Sequence, residues 1–125
     1  MTSLAAEMQH CVISPRKETE PGVWESVFRF PYNFPGFVGH FPGNPVLPGI
    51  VQILAVIHTA GEFTLHKIKN CKFSRSVHPE EDLSVRLQLA PAQISGKYET
   101  VAQGELNVNG GVCAVMTLYL NRFAL

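Results

Sequence analysis

His40 lies in the run Gly39-His40-Phe41-Pro42-Gly43-Asn44-Pro45-Val46-Leu47-Pro48-Gly49, nine residues ahead of an apolar stretch that opens at Gly49. Imidazole is the side chain best suited to take or give a proton near neutral pH. If the apolar stretch is a helix, Pro48 suits its entry, and the N–H groups of Gly49 and Ile50 point out of its start. Free N–H groups at a helix start can hold a developing oxyanion. A base and an oxyanion site carried by one segment fit proton abstraction beside a carbonyl. A structural part for a lone loop histidine is the competing reading, and spacing alone leaves both open.

A second histidine, His58, lies within the apolar stretch, with Leu54 one helical turn before it and Glu62 one turn after. Residues four apart share a helix face, so Glu62 could orient His58, although a solvated or capping Glu62 is the plainer reading. A histidine on an apolar helix is equally a hydrogen-bonded core residue. His10, His66 and His78 read as surface residues, and no HExxH or similar spacing calls for a metal. Cys11, Cys71 and Cys113 are odd in number and form no CxxC pair. They read as small core residues in a reducing compartment, with neither a disulfide framework nor a zinc knuckle. Nothing in the sequence asks for a cofactor.

The loop that would hold His40 is built to be rigid. Five of the nine prolines fall at 31, 35, 42, 45 and 48, with Gly36, Gly39, Gly43 and Gly49 between them. Proline fixes φ, and glycine permits the turns that a sharply folded loop needs. Tyr32, Phe34, Phe37 and Phe41 would line an apolar pocket or simply pack in the core. The apolar run behind the loop predicts a helix from about Leu47 to Leu65, buried on most of its surface. Strands are predicted around 10–14, over Val23–Phe30 with Trp24, Phe28 and Phe30 on one face, around 71–77, and over Leu83–Leu89. Two more, at about 97–108 and 112–121, flank Asn109-Gly110, a favoured tight-turn pair. The expected class is α+β, one buried helix among five or six antiparallel strands.

The 125 residues have the size of one domain, spanning 1–125, and 46% are apolar. Ten basic residues balance ten acidic ones, so no basic face invites nucleic acid. The local basic run from Lys67 to Arg75 reads as solvated surface, or at most a patch for an acidic partner. The start, Met1 to Glu7, lacks the charged head and long apolar run of a signal peptide, and no apolar run is long enough to span a bilayer. A cytoplasmic setting is the expectation.

The segment from Gly39 to Gly49 closely resembles the signature of the hot-dog-fold 3-hydroxyacyl-carrier-protein dehydratases of bacterial fatty acid synthesis. The order of strand, motif loop, apolar helix and further strands is similar along almost the whole chain. The resemblance implies a hot-dog fold, a helix wrapped by antiparallel sheet. It implies that His40 removes the α-proton of a 3-hydroxyacyl thioester and that the Gly49 N–H holds the thioester carbonyl, with Phe41 and Leu54 against the substrate. It also implies a homodimer or dimer of dimers whose acyl tunnel follows the subunit interface, taking acyl groups from acyl carrier protein or coenzyme A. The departure is Leu54. Fourteen residues after the histidine, the family carries the glutamate or aspartate that protonates the leaving hydroxyl. At the next turn stands His58, where the family usually has glutamine and related polyketide dehydratases sometimes histidine. Three functions follow: a dehydratase with His58 as substitute acid, a thioesterase, or a non-catalytic acyl-thioester binding or scaffold subunit.

Overall fold

Strand-period alternation runs through most of the chain, and a computed structural model, describing residues 3–37, 43–94 and 97–122, is mostly sheet. Six strands form one antiparallel sheet: β1 (Val12–Glu20), β2 (Val23–Arg29), β3 (Phe63–Phe73), β4 (Asp82–Ile94), β5 (Lys97–Val108) and β6 (Gly111–Arg122). Their order across the sheet is β1-β2-β4-β5-β6-β3. Two helices, α1 (Leu4–Gln9) and α2 (Gly49–Ala60), complete the fold, with a 3-10 turn at Pro35–Phe37.

The alternation decides which face the sheet turns inward. On β4, Leu83, Val85 and Leu87 are buried while Ser84, Arg86 and Gln88 face out. Met116, Leu118 and Leu120 do the same on β6. Against them α2 buries Val51, Ile53, Ala55, Val56 and Ala60, so the helix lies in the curve of the sheet. Burying each such branched side chain contributes on the order of 1.5–3 kcal/mol, which explains why so apolar a helix is stable only inside. The β5–β6 turn is the expected Asn109-Gly110, with Asn109 at φ 52°. This is the α+β architecture that the resemblance implies.

Several boundaries differ from expectation, among them the strand expected over Leu83–Leu89, which runs on to Ile94. Helix α2 is 12 residues long and stops at Ala60, not near Leu65. Gly61, at φ 116°, takes the chain out of the helix in a conformation that side chains resist. The Arg16 Nε and Nη2 groups then donate to the Thr59 and Ala60 carbonyls, both at 2.9 Å, and occupy the last turn. Residues from Phe63 onward pair with β6, so β3 starts eight residues before the strand expected at Cys71, and the basic run is its exposed face. Backbone pairing with β6 overrides a helical reading of residues 63–65. The first strand is also longer than predicted, and α1 was not predicted at all. Ser3 caps α1, its hydroxyl accepting from the Ala6 N–H at 3.1 Å.

Candidate functional site

At the start of α2, Pro48 is the capping residue, in extended geometry. The N–H groups of Val51 and Gln52 turn to its carbonyl at 3.1 and 3.4 Å, so those of Gly49 and Ile50 precede the first helical bond. The loop before it is pinned from the segment leading into β4. Leu47 N–H donates to the Val77 carbonyl at 2.7 Å, and His78 Nδ1 lies 3.0 Å from the Pro45 carbonyl, to which it must donate. Glu81 in turn accepts from the His78 backbone N–H at 2.7 Å. His78, expected as a surface residue, is thus half-buried and holds the motif loop in place.

A cavity of about 410 Å³ opens beside this helix start, lined by Val46, Leu47, Gly49, Gln52 and the stretch Phe73 to Ser76. The Phe73 ring lies over Gly49 so closely that a Cβ there would stand 2.8 Å from it. Gln52 also lines the cavity and is 3% exposed. His40 and Phe41 lie outside the described residues.

Leu54 is half-buried and packs against the core from the middle of α2. One turn on, His58 is half-buried with its ring edge-on to Phe28, centroids 5.5 Å apart. It lines a separate concavity of about 740 Å³, with Arg16, Trp24, Gly61, Glu62 and Phe63 among its walls. Nine residues of helix, roughly 14 Å of rise, separate His58 from Gly49. Burial lowers the His58 pKa, and the nearby Arg16 guanidinium lowers it further. An imidazolium at this position would need an anion beside it. Glu62 instead is exposed beyond the end of the helix, and the charge acting on His58 is a cation. Burial and the Arg16 charge thus work against the charged His58 that its expected part as proton donor requires.

The aromatic residues before the motif divide in the same way. Phe34 and Phe37 are buried and continue, edge to face, the pair of stacked rings Phe28 and Phe30, so they are core, while Tyr32 is 70% exposed. Sequence reasoning missed Arg16, Trp24, Gln52 and His78. Arg16 lies 3.9 Å over the Trp24 ring while capping the helix, a meeting of two strands and a helix that no local pattern encodes. Gln52 did carry a signal, being an amide inside an otherwise apolar helix face. Among the described residues, no group of three or more His, Cys, Asp or Glu side chains could hold a metal ion, and no helix is long and apolar enough to cross a membrane.

The family model for the ApeI-like dehydratases, described as ApeI dehydratase, matches residues 16–111. Among curated relatives, the 3-hydroxyacyl-[acyl-carrier-protein] dehydratase FabZ of Dinoroseobacter shibae is 32% identical over 80 residues, covering 53% of this chain and 49% of that protein. The FabZ of Bartonella bacilliformis is 37% identical over 70 residues, covering 46% of each. The chain thus spans about half the length of the curated relatives it matches. Among solved structures, a chain of the dehydratase heterocomplex ApeI:P from Xenorhabdus doucetiae superposes with a TM-score of 0.70 at 21% identity, covering 89% of this chain and 96% of that one. The E. coli PaaI protein from the phenylacetic acid degradation operon gives 0.63 at 12%, over 86% and 82%. These structural likenesses are of fold, and the fold is the hot-dog fold. The family match runs from Arg16 in β1 through the motif loop and all of α2 to the start of β6, and the chain belongs to the ApeI-like dehydratase family.

Proposed function

We propose that this chain is a 3-hydroxyacyl-thioester dehydratase in which His40 is the general base and the Gly49 N–H holds the thioester carbonyl. The observation that carries the reading is the family match over residues 16–111, which includes the whole motif. The open N–H groups at the start of α2, beside a cavity, fit the oxyanion part of that chemistry. His40 takes the α-proton, and the electron pair moves onto the carbonyl oxygen as an enolate, facing the Gly49 N–H. The enolate then collapses, the Cβ–O bond breaks, and an α,β-unsaturated thioester forms. The departing hydroxide needs a proton. Leu54 has none to give, and burial and Arg16 disfavour a charged His58, so the imidazolium just formed at His40 returns it, leaving water and neutral histidine.

The acyl group arrives on acyl carrier protein or coenzyme A, in fatty acid or polyketide-type chain metabolism. The three free cysteines, two of them buried, suit a cytoplasmic, reducing setting. The active unit is a homodimer. A second reading, non-catalytic acyl-thioester binding, draws on one observation: no carboxylate stands at Leu54. Hydration of a crotonyl thioester, followed by loss of its ultraviolet absorbance, separates the two. We expect hydration by the native chain and a loss of about a hundredfold or more in His40→Ala. Leu54→Glu, supplying an acid, should raise the rate about tenfold or more. Binding of the thioester without hydration in the native chain, and no gain in Leu54→Glu, would favour the binding reading. Release of free thiol would instead indicate a thioesterase.

A further inference from the structure

Three polar side chains are buried among the described residues: Ser26, Gln52 and Thr59. Two of them answer each other, since the Ser26 and Thr59 hydroxyls lie 2.5 Å apart and Thr59 also donates to the Ala55 carbonyl at 2.7 Å. Gln52 is different. It is 3% exposed, and its Oε1 has no hydrogen-bond partner. A buried amide oxygen without a donor is destabilising, and a leucine or methionine of similar size would avoid that cost among neighbours such as Val51 and Ile53. Protein structures keep few such atoms, and those they keep call for a reason.

The surroundings of Gln52 supply one. It lines the cavity of about 410 Å³ at the start of α2 together with Gly49, three residues earlier and hence on the same side of the helix. Gly49, whose N–H precedes the first helical bond, and Gln52, whose Oε1 has no partner, thus line one cavity a single turn apart. A ligand matching both would carry a carbonyl oxygen for the first and, a few atoms away, an O–H or N–H for the second.

We propose that Gln52 is a specificity-determining residue that accepts a hydrogen bond from a donor group of the bound acyl thioester. The inference rests on the acyl-thioester reading given above and adds a contact to it. Such a ligand offers donors on either side of its carbonyl: the 3-hydroxyl on the acyl side and the amide N–H of the thiol arm on the other. Both present the same chemistry to Oε1.

The test compares Gln52→Met with its parent, on a His40→Ala background where turnover is arrested, by calorimetric binding. Three ligands are used: the 3-hydroxybutyryl and butyryl thioesters of N-acetylcysteamine, and the 3-hydroxybutyryl thioester of ethanethiol, which lacks the amide. Losing one hydrogen bond to a buried acceptor should weaken binding about tenfold. If the 3-hydroxyl is the donor, both 3-hydroxybutyryl ligands weaken and the butyryl one does not. If the amide is the donor, both N-acetylcysteamine ligands weaken and the ethanethiol one does not. In either case unliganded Gln52→Met should melt at or above the temperature of its parent, because an unpaired buried oxygen has been removed. Affinities unchanged from the parent, or weakened alike for all three ligands, would overturn the proposal, as would a lower melting temperature of the unliganded variant, which would make the amide a structural group. A parent that binds none of the three would overturn the acyl-thioester reading itself, and the proposal with it.

Discussion

His58 shows how far a residue's surroundings can move its chemistry from its type. Burial and then the Arg16 charge disfavour its protonated form, so its folded pKa lies below that of an unfolded histidine. The unfolded chain therefore binds the proton more readily as pH falls through about 6.5, and this histidine's contribution to stability is lost from there downward until the folded form also protonates. Above that range both states are neutral and pH has no effect through His58. We expect the His58 ring resonances to titrate with a midpoint below that of a free histidine. The acid-side loss of melting temperature should shrink in His58→Asn. A midpoint at or above the free value would mean that an anion reaches the ring. The sequence placed His58 on α2 but could not show the charge acting on it, because Arg16 comes from a strand forty-two residues earlier. The motif was legible as a sequence pattern, and the family match that includes it follows from that pattern. His78 was not, because its hydrogen bond to Pro45 crosses thirty-three residues.

Among the elements, β2, β4, β5 and β6 were readable because one face of each is buried and the alternation is regular. The end of α2 was not. Ile57 to Leu65 offers no proline and only one glycine, and the residues after Gly61 become strand through pairing with the end of β6, as Phe63 does with Arg122 and Leu65 with Leu120. Helix α2 is tied to the sheet by polar bonds as well as by packing: Thr59 to Ser26 on β2, and its last carbonyls to Arg16 on β1. Thr59→Val keeps the shape of the side chain but leaves the Ser26 hydroxyl buried without its partner. We expect a loss of about 1–3 kcal/mol in denaturant unfolding. Thr59→Val with Ser26→Ala should recover most of it, as the two changes remove both members of one pair. A double variant as unstable as the sum of the single ones would mean that the two hydroxyls act separately.

At the scale of the molecule, β3 is the last strand of the sheet and, among the described residues, pairs only with β6. It is exposed along most of its length, with Leu65, Ile68 and Phe73 each about two-fifths exposed, and Val115 lies beside it on β6. An open edge that carries apolar side chains invites a second strand, and lysines such as Lys67, Lys69 and Lys72 limit what may pair there. We expect light scattering to give twice the chain mass for the native protein and the single-chain mass for Ile68→Lys, with the fold retained by circular dichroism. A native monomer would remove the shared acyl tunnel from the proposed function. Assembly only with a second, different hot-dog chain would replace the homodimer by a heterocomplex.

The stacking of Arg16 on Trp24 has an optical consequence. Trp24 is the chain's only tryptophan, and it lines the concavity that also holds His58. Its indole lies under a cation, and the emission of a lone indole follows the field and the water around it. Intrinsic fluorescence therefore reports on one place, the closing turn of the helix, with no dye or label. A ligand entering that concavity, or a strand β1 drawn away from the helix, would be read as a change in colour rather than as a change in rate.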